Sequence, residues 1–251
     1  MLYLIGLGLS DEKDVSVKGL EAVKKCSKVY LESYTSKLSC PIESLEKLYG
    51  KKVDLADREF VEDAKQLLTE SKKEDVALLV IGDPLCATTH WDILGRAKEQ
   101  NIKTEVFHNA SIISAIGATG LQVYKFGKTT SIPFPQEGFE PETAYDMIKA
   151  NKSIGAHTLV LLDLRPKENK FMSVYEAIEI LRRIERNRKE NVFTPNDWCV
   201  GVARLGWKTQ KIVAGKVLDV ADAEFGEAPH ALIVPGQLHF LEEEALDKWK
   251  I

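Results

Sequence analysis

Residues 76–90 read VALLVIGDPLCATTH. The first six are an unbroken apolar run, the pattern of a strand buried on both faces of a parallel sheet. A Gly-Asp-Pro turn then stops the strand abruptly. In open α/β sheets, ligands bind outside the carboxyl ends of strands. The stretch therefore predicts a central strand with a small-molecule site at its end. Gly82 and Pro84 fix the turn, and Asp83 stands at the strand's carboxyl end. Thr88 and Thr89 lie closer to the start of the next helix, so they are expected to cap it and to leave Asp83 free. His90 is expected to pack or solvate rather than to catalyse.

Outward from this strand, the first half of the chain alternates. YLIGL (3–7), KVYLESY (28–34) and KTEVFH (103–108) read as strands. VSVKGLEAVKKC (15–26), REFVEDAKQLLTES (58–71) and HWDILGRAKEQ (90–100) read as helices, the second of them as one long helix. Strand and helix in turn with short connections predict parallel βαβ units. KFGKTTSIPFPQEGFEPET (125–143), with its prolines and glycines, breaks the rhythm and is expected to be a hinge region carrying an edge strand. Beyond it, TAYDMIKAN (143–151) predicts a helix, HTLVLLDL (157–164) a strand, and SVYEAIEILRRIERNR (173–188) an amphipathic helix. In that last helix Val174, Ala177, Ile178, Leu181 and Ile184 share one face. DWCVGVARL (197–205), QKIVAGKVLDV (210–220) and HALIVPG (230–236) predict strands, the middle one a strand or strand pair, and HFLEEEALDKW (239–249) a last helix. The fold class is α/β in two domains, 1–120 and 125–251, with a ligand cleft expected between them.

The net charge of −4 is spread without a basic block, so nucleic acid is a poor main partner and a protein or small-molecule substrate fits better. Cys26, Cys40, Cys86 and Cys199 form no C-x-x-C pair, which removes zinc-knuckle and thioredoxin-like readings and leaves free thiols in a reducing cytosol. MLYLIGLGL lacks a basic flank and a cleavage site, so it reads as a first strand. No segment approaches the roughly 18 apolar residues of a membrane span. A cytoplasmic protein with no membrane association is expected.

GLGLSD (6–11) has Asp11 where a dinucleotide loop would carry its third glycine, so it reads as a turn whose backbone passes near a ligand. NASIISAIGATGL (109–121) reads as an ordinary buried helix, with Asn109 and Ser111 at its start. LLDLRP (161–166) ends another apolar strand on Asp163, and APHALIVPG (228–236) places His230 at the start of one. The runs KKED, RRIERNRKE and EEEALDK read as solvated helix faces. Walker A, G-x-S-x-G and H-E-x-x-H motifs are absent from the sequence, so hydrolase and metalloenzyme readings lose their usual supports.

In order along nearly the whole chain, YLIGLGL, YLESYTS, GDPLCATTH, NASIISAIGATGL, SIPFP, HTLVLLDL, VGVARLG and GEAPHALIVPGQLHFLEEEAL resemble diphthine synthases. YLESYTS with GDPLCATTH is specific to that branch. YLIGLGL and GDP are shared with the wider tetrapyrrole-methylase-like superfamily. The resemblance implies an S-adenosylmethionine-dependent methyltransferase of two α/β domains, usually a homodimer, that needs no metal. Its substrate would be elongation factor 2, methylated on the amino group of a 3-amino-3-carboxypropyl chain carried by a histidine. Archaeal members add three methyl groups to make diphthine. Eukaryotic members add a fourth on the carboxylate and have a longer insertion after the LLD strand. Only RPKENKF separates LLDL from MSVYEAI here, which resembles the archaeal type.

By the same resemblance the donor is held by Leu9 after the first strand, Asp83 and Cys86 in the GDP stretch, Ser111 and Ile112, Leu162 at the end of the LLD strand, Leu205 in VARLG, and His230 after Ala-Pro. Asp83 would be a polar anchor. Some relatives carry valine where Cys86 stands, so its thiol has no chemical role. Asp83 or Asp163 could lend acidic character to a cleft that accumulates a fixed cation. No general base is identified. A tetrapyrrole methyltransferase sharing the fold, and a non-catalytic protein that binds elongation factor 2 or a nucleotide, remain as other readings.

Overall fold

The computed structural model describes residues 1–136 and 141–251; residues 137–140 of the expected hinge region lie outside the described residues. The chain forms two compact units, Met1–Ala115 and Ile116–Ile251.

The first unit runs β1 (Leu2–Gly6), α1 (Val17–Lys25), β2 (Lys28–Glu32), α2 (Ile42–Tyr49), β3 (Asp54–Ala56), α3 (Arg58–Asp63), α4 (Lys65–Ser71), β4 (Val76–Val80), α5 (Trp91–Glu99), β5 (Thr104–Phe107) and α6 (Ile112–Ala115). Its sheet has the order β3-β2-β4-β1-β5, and each pairing is parallel. The apolar run 76–81 forms its central strand, as expected. Alternate residues serve two cores. Leu2, Leu4, Val76, Leu78 and Val80 meet α3, α4 and α5 on one face. Tyr3, Ile5, Ala77 and Leu79 meet α1 and α2 on the other. A strand that must be apolar on both sides reads as a continuous run for this reason.

The expected single helix over 58–71 is two. Asp57 caps α3 by accepting the Phe60 N–H at 2.9 Å. Ala64 then turns left-handed at φ 50°, and its N–H closes α3 on the Phe60 carbonyl at 3.0 Å. The break re-aims the chain so that Val61, Ala64, Leu67 and Leu68 all reach the same core. Residues 42–56, where no element was expected, supply α2 and the edge strand β3.

The second unit runs β6 (Thr130–Ile132), α7 (Thr143–Ser153), β7 (Thr158–Leu162), β8 (Leu164–Arg165), β9 (Lys170–Phe171), α8 (Val174–Arg188), β10 (Trp198–Ala203), β11 (Lys211–Lys216), α9 (Val217–Asp222), β12 (His230–Val234) and α10 (Phe240–Leu246). Its sheet, β11-β10-β12-β7-β6, is mixed: β6 and β7 are parallel and the other neighbours antiparallel. The expected edge strand in the hinge region is β6. Helices α7, α8 and α9 bury their apolar stripes with Val160, Leu162, Cys199, Val213 and Leu232. On α8 the expected face is the buried one. Ser173 starts that helix with a reciprocal cap: its hydroxyl accepts the Glu176 N–H, and the Glu176 carboxylate accepts the Ser173 N–H.

The stretch 210–220 is a strand followed by a helix, not a strand pair. Its valines sit at Val217 and Val220 with Ala221, a helical spacing that buries all three. No helix among the described residues is long and apolar enough to cross a membrane.

Candidate active site

Strands β1 and β4 lie side by side and both run out into glycine. Gly8 and Gly82 have positive φ, +78° and +88°, and bond to each other. The Gly82 N–H donates to the Gly8 carbonyl at 2.7 Å, and the Gly8 N–H to the Gly82 carbonyl at 3.2 Å. A Cβ on Gly6 would stand 2.7 Å from the Gly82 carbonyl oxygen. The glycines of GLGL and GDP therefore let two chain segments touch just beyond the sheet. Asn109 adds a third segment, donating from Nδ2 to the carbonyls of Gly6 at 3.0 Å and Asp14 at 2.9 Å. Asp14 in turn accepts the N–H groups of Leu9 and Ser10 at 3.1 and 2.7 Å. Leu9, Asp83, Cys86, Ser111 and Ile112 all come from these connected loops.

Asp83 is not free. It is buried, and each oxygen is engaged: Oδ1 accepts the Leu85 N–H at 2.9 Å, and Oδ2 accepts the Asn109 N–H at 3.0 Å and His108 Nδ1–H at 2.8 Å. Burial works against its charge, but these donors outweigh burial and hold its pKa below the ordinary carboxylate value. Asp83 thus fixes the β4 loop to the β5 loop. Nor do Thr88 and Thr89 cap α5 with their side chains. The Thr88 hydroxyl donates back to the Pro84 carbonyl at 2.7 Å, and α5 begins at His90 with no side-chain cap. Cys86 is exposed in this loop, and burial is the largest influence pushing its thiol pKa up, so it stays protonated.

His90 packs, as expected. Its Nδ1–H donates to the Pro84 carbonyl at 3.0 Å, and its Nε2 faces Glu32 Oε2 at 3.0 Å, with both side chains almost fully buried. Glu32, the acidic residue of YLESYTS, thus stands at the end of β2 against the histidine of the GDP loop. The stretch 109–121 is not an ordinary buried helix. It makes four helical residues with none buried, then a 3-10 turn at Ile116–Thr119. Ser111 precedes that short helix, buried, with its hydroxyl accepting the Ile113 N–H at 3.2 Å.

In the second unit Leu162 ends β7 and Leu205 follows β10; both are buried. His230 opens β12. Its Nε2–H donates to the Glu227 carbonyl at 3.0 Å, and its ring stands 5.9 Å from that of Phe225. Burial is the largest influence lowering its pKa, so the ring is neutral. Its Nδ1 is buried with no hydrogen-bond partner. Arg204, unremarked in the sequence, organises this end. Its guanidinium donates to the carbonyls of Thr209, Phe225 and Glu227, and its backbone N–H to Pro229. Asp163 accepts the Phe134 N–H at 3.0 Å and lies 3.5 Å from Arg165 Nε. Both carboxylates expected to face a cation are thus already paired within the protein.

This fold and these loops find clear counterparts among known proteins. The family model of Tetrapyrrole (Corrin/Porphyrin) Methylases matches residues 1–221. The diphthine methyl ester synthase of Dictyostelium discoideum is 46% identical over 269 residues, spanning 100% of this chain and 98% of that protein. That of Saccharomyces cerevisiae is 47% identical over 264 residues, spanning 98% of this chain and 88% of that protein. A crystal structure of diphthine synthase superposes with a TM-score of 0.91 at 38% identity, covering 99% of this chain and 95% of that one. The chain belongs to the tetrapyrrole methylases, in their diphthine synthase branch. It is an S-adenosylmethionine-dependent methyltransferase.

The orphaned His230 Nδ1 fits that donor. A buried acceptor with no partner carries a desolvation penalty until a donor group reaches it, and S-adenosylmethionine brings several N–H and O–H groups. His230→Phe is therefore expected to leave stability unchanged or slightly raised while weakening donor binding about tenfold, the loss of roughly one good hydrogen bond. Paired thermal-unfolding and titration-calorimetry measurements check the opposite signs. For Asp83→Asn, stability and affinity should fall together. An amide cannot accept from three donors as a carboxylate does, so unfolding free energy should drop by about 1–3 kcal/mol and donor affinity by tenfold or more. Unchanged calorimetry and turnover for this variant would refute Asp83 as a donor-site residue.

Proposed function

We propose that this enzyme methylates the amino group of the 3-amino-3-carboxypropyl chain carried by a histidine of elongation factor 2, a step of diphthamide biosynthesis. The observation that carries this reading is full-length identity near one half to proteins named diphthine methyl ester synthase. We further propose that Leu9, Asp83, Cys86, Ser111 and Ile112 of the first unit, with Leu162, Leu205 and His230 of the second, hold the donor, and that the enzyme works as a cytoplasmic homodimer. Bound S-adenosylmethionine supplies a methyl group already activated on a sulfonium. The chain's own task is alignment of nitrogen with that methyl and exclusion of water. Asp83 and Asn109 serve it by fixing three loops to one another.

Two end points are in play. The short connection formed by β8 and β9 favours three methyl groups, as in the archaeal type. The names of the relatives favour a fourth, on the carboxylate. The test is to incubate the enzyme with S-adenosylmethionine and elongation factor 2 bearing the aminocarboxypropyl-histidine, then weigh the modified peptide. A gain of three methyl groups supports diphthine as the product, and four the methyl ester. No gain, with donor binding shown separately, would refute the acceptor.

A further inference from the structure

Amines are protonated near neutral pH and have no lone pair to attack with. Each methyl transfer to nitrogen therefore requires the ammonium to lose a proton first, a task for which a base beside the acceptor would serve, and the sequence named none. The first unit contains a group built for that task. His108 directly follows β5, at the same carboxyl edge of the sheet as the GDP loop. Its Nδ1–H donates to buried Asp83 Oδ2 at 2.8 Å, while 67% of its side chain is exposed. Asp83 is itself immobilised by the backbone N–H groups of Leu85 and Asn109. The carboxylate thus fixes the orientation of the ring through Nδ1–H, and in the neutral imidazole that tautomer presents Nε2 as the acceptor. The arrangement is that of a base oriented by a buried acid. Among the described residues nothing else bonds this ring.

The neighbours do not compete for the role. His90 spends one ring nitrogen on the Pro84 carbonyl and turns the other to Glu32. Asp83 is too heavily hydrogen-bonded to be basic, and the Cys86 thiol stays protonated. His108 also stands one residue before Asn109, which binds the Gly6 carbonyl, and three before Ser111, so the same loop that would carry the base carries proposed donor contacts.

We propose that His108 is the general base of the reaction, oriented by Asp83 and acting through Nε2 on the acceptor amine. The proposal rests on the amine acceptor named above. His108 Nε2 takes one proton from the acceptor ammonium, becoming imidazolium and leaving a neutral amine. The nitrogen lone pair then forms a bond to the methyl carbon as the carbon–sulfur bond breaks, and that bond's electron pair stays on sulfur. The imidazolium returns its proton to solvent before the next transfer.

The test compares wild type with His108→Ala on elongation factor 2 bearing the aminocarboxypropyl-histidine, under single-turnover conditions with S-adenosylmethionine bound. Removal of a general base should slow transfer about 10²–10³-fold, with donor Kd unchanged. Added imidazole should restore part of the lost rate, an effect a merely structural residue would not produce. Undiminished transfer in the variant would overturn the proposal. So would a lost rate that tracks lost donor affinity and ignores imidazole, since His108 would then only hold the loop. Wild-type transfer in the same assay separates a failure of the base from a failure of the acceptor; with no wild-type transfer both readings fall.

Discussion

Glu242→Ala is expected to destabilise the second unit by about 3–5 kcal/mol, the cost of breaking a buried charge network by removing one partner. Glu242 lies in α10 with its side chain fully buried. Oε1 accepts the Gln122 N–H at 2.8 Å and faces His157 Nε2 at 3.0 Å. Oε2 accepts the His239 N–H at 2.8 Å and the Lys125 ammonium. Burial opposes its charge, but Lys125 and the two backbone N–H groups outweigh burial and bring its pKa from 4.5 to about 2. The folded state therefore binds this proton less readily than the unfolded state does. The stabilisation is complete above about pH 4.5 and is lost as pH falls towards about 2. His157 acts in the same direction at higher pH. Burial is the largest influence lowering its pKa from 6.5, so the unfolded chain takes up a proton below that pH that the folded chain resists. Denaturant unfolding followed by tryptophan fluorescence at neutral pH, near pH 5 and near pH 3 checks both statements, the first step reading His157 and the second Glu242. Trp249 reports on this unit, its indole donating to the Thr119 carbonyl at 3.1 Å. A variant that loses less than about 1 kcal/mol would show that the buried network contributes little net stability.

Arg204→Ala should cost a similar amount, roughly 3–5 kcal/mol, and should also weaken donor binding. The guanidinium is largely buried and spends its donors on carbonyls from two separate loops. Truncation leaves those carbonyls without their partner at a penalty of about 1–3 kcal/mol each where water cannot reach. It also frees residues 225–229, the segment that places His230 at the start of β12. Donor affinity is therefore expected to fall tenfold or more, though Arg204 is not proposed to touch the donor. Arg204→Lys should rescue little, because an ammonium cannot span both loops as a planar fork does. Titration calorimetry on the two variants, beside their unfolding curves, is the measurement. Full affinity in Arg204→Ala would show that the loop holds its shape without the clamp.

How much of this was legible depends on whether a feature has a local signature. The run 76–81 announced a central strand because both of its faces are apolar, and α8 announced itself through its stripe. The break at Ala64 had no signature, since the left-handed residue is not glycine. The helix over 217–222 was hidden because its valines also suit strands. Long-range pairings were invisible throughout. EEEALDK reads as a solvated face, yet Glu242 is buried because Gln122, Lys125 and His157 converge on it from distant sequence. Asp83 was picked out, but its partners lie 25 and 26 residues away, so its role as a fastener could not be read. His108 could have been found by the rule that drew attention to Asp83, since both follow the carboxyl ends of parallel strands of one sheet, β4 and β5, on either side of β1.

The mutual bond between Gly8 and Gly82 has a bearing on how such a site can change through descent. The two residues satisfy one another's amide and carbonyl, so this patch beneath the proposed donor site is closed by backbone hydrogen bonds of its own. Leu9 and Cys86, one and four residues along from the bonded pair, are mounted on that patch without being part of it. Exchanges at these two positions can alter the proposed lining while the foundation stays in place. Substitutions at Gly6, Gly8 or Gly82 instead force a side chain into a contact or a backbone region that does not admit one. If Leu9 and Cys86 line the donor site as proposed, drift in ligand preference is open at these two positions and closed at the glycines, and a library randomised at Leu9 and Cys86 should yield mostly folded enzymes.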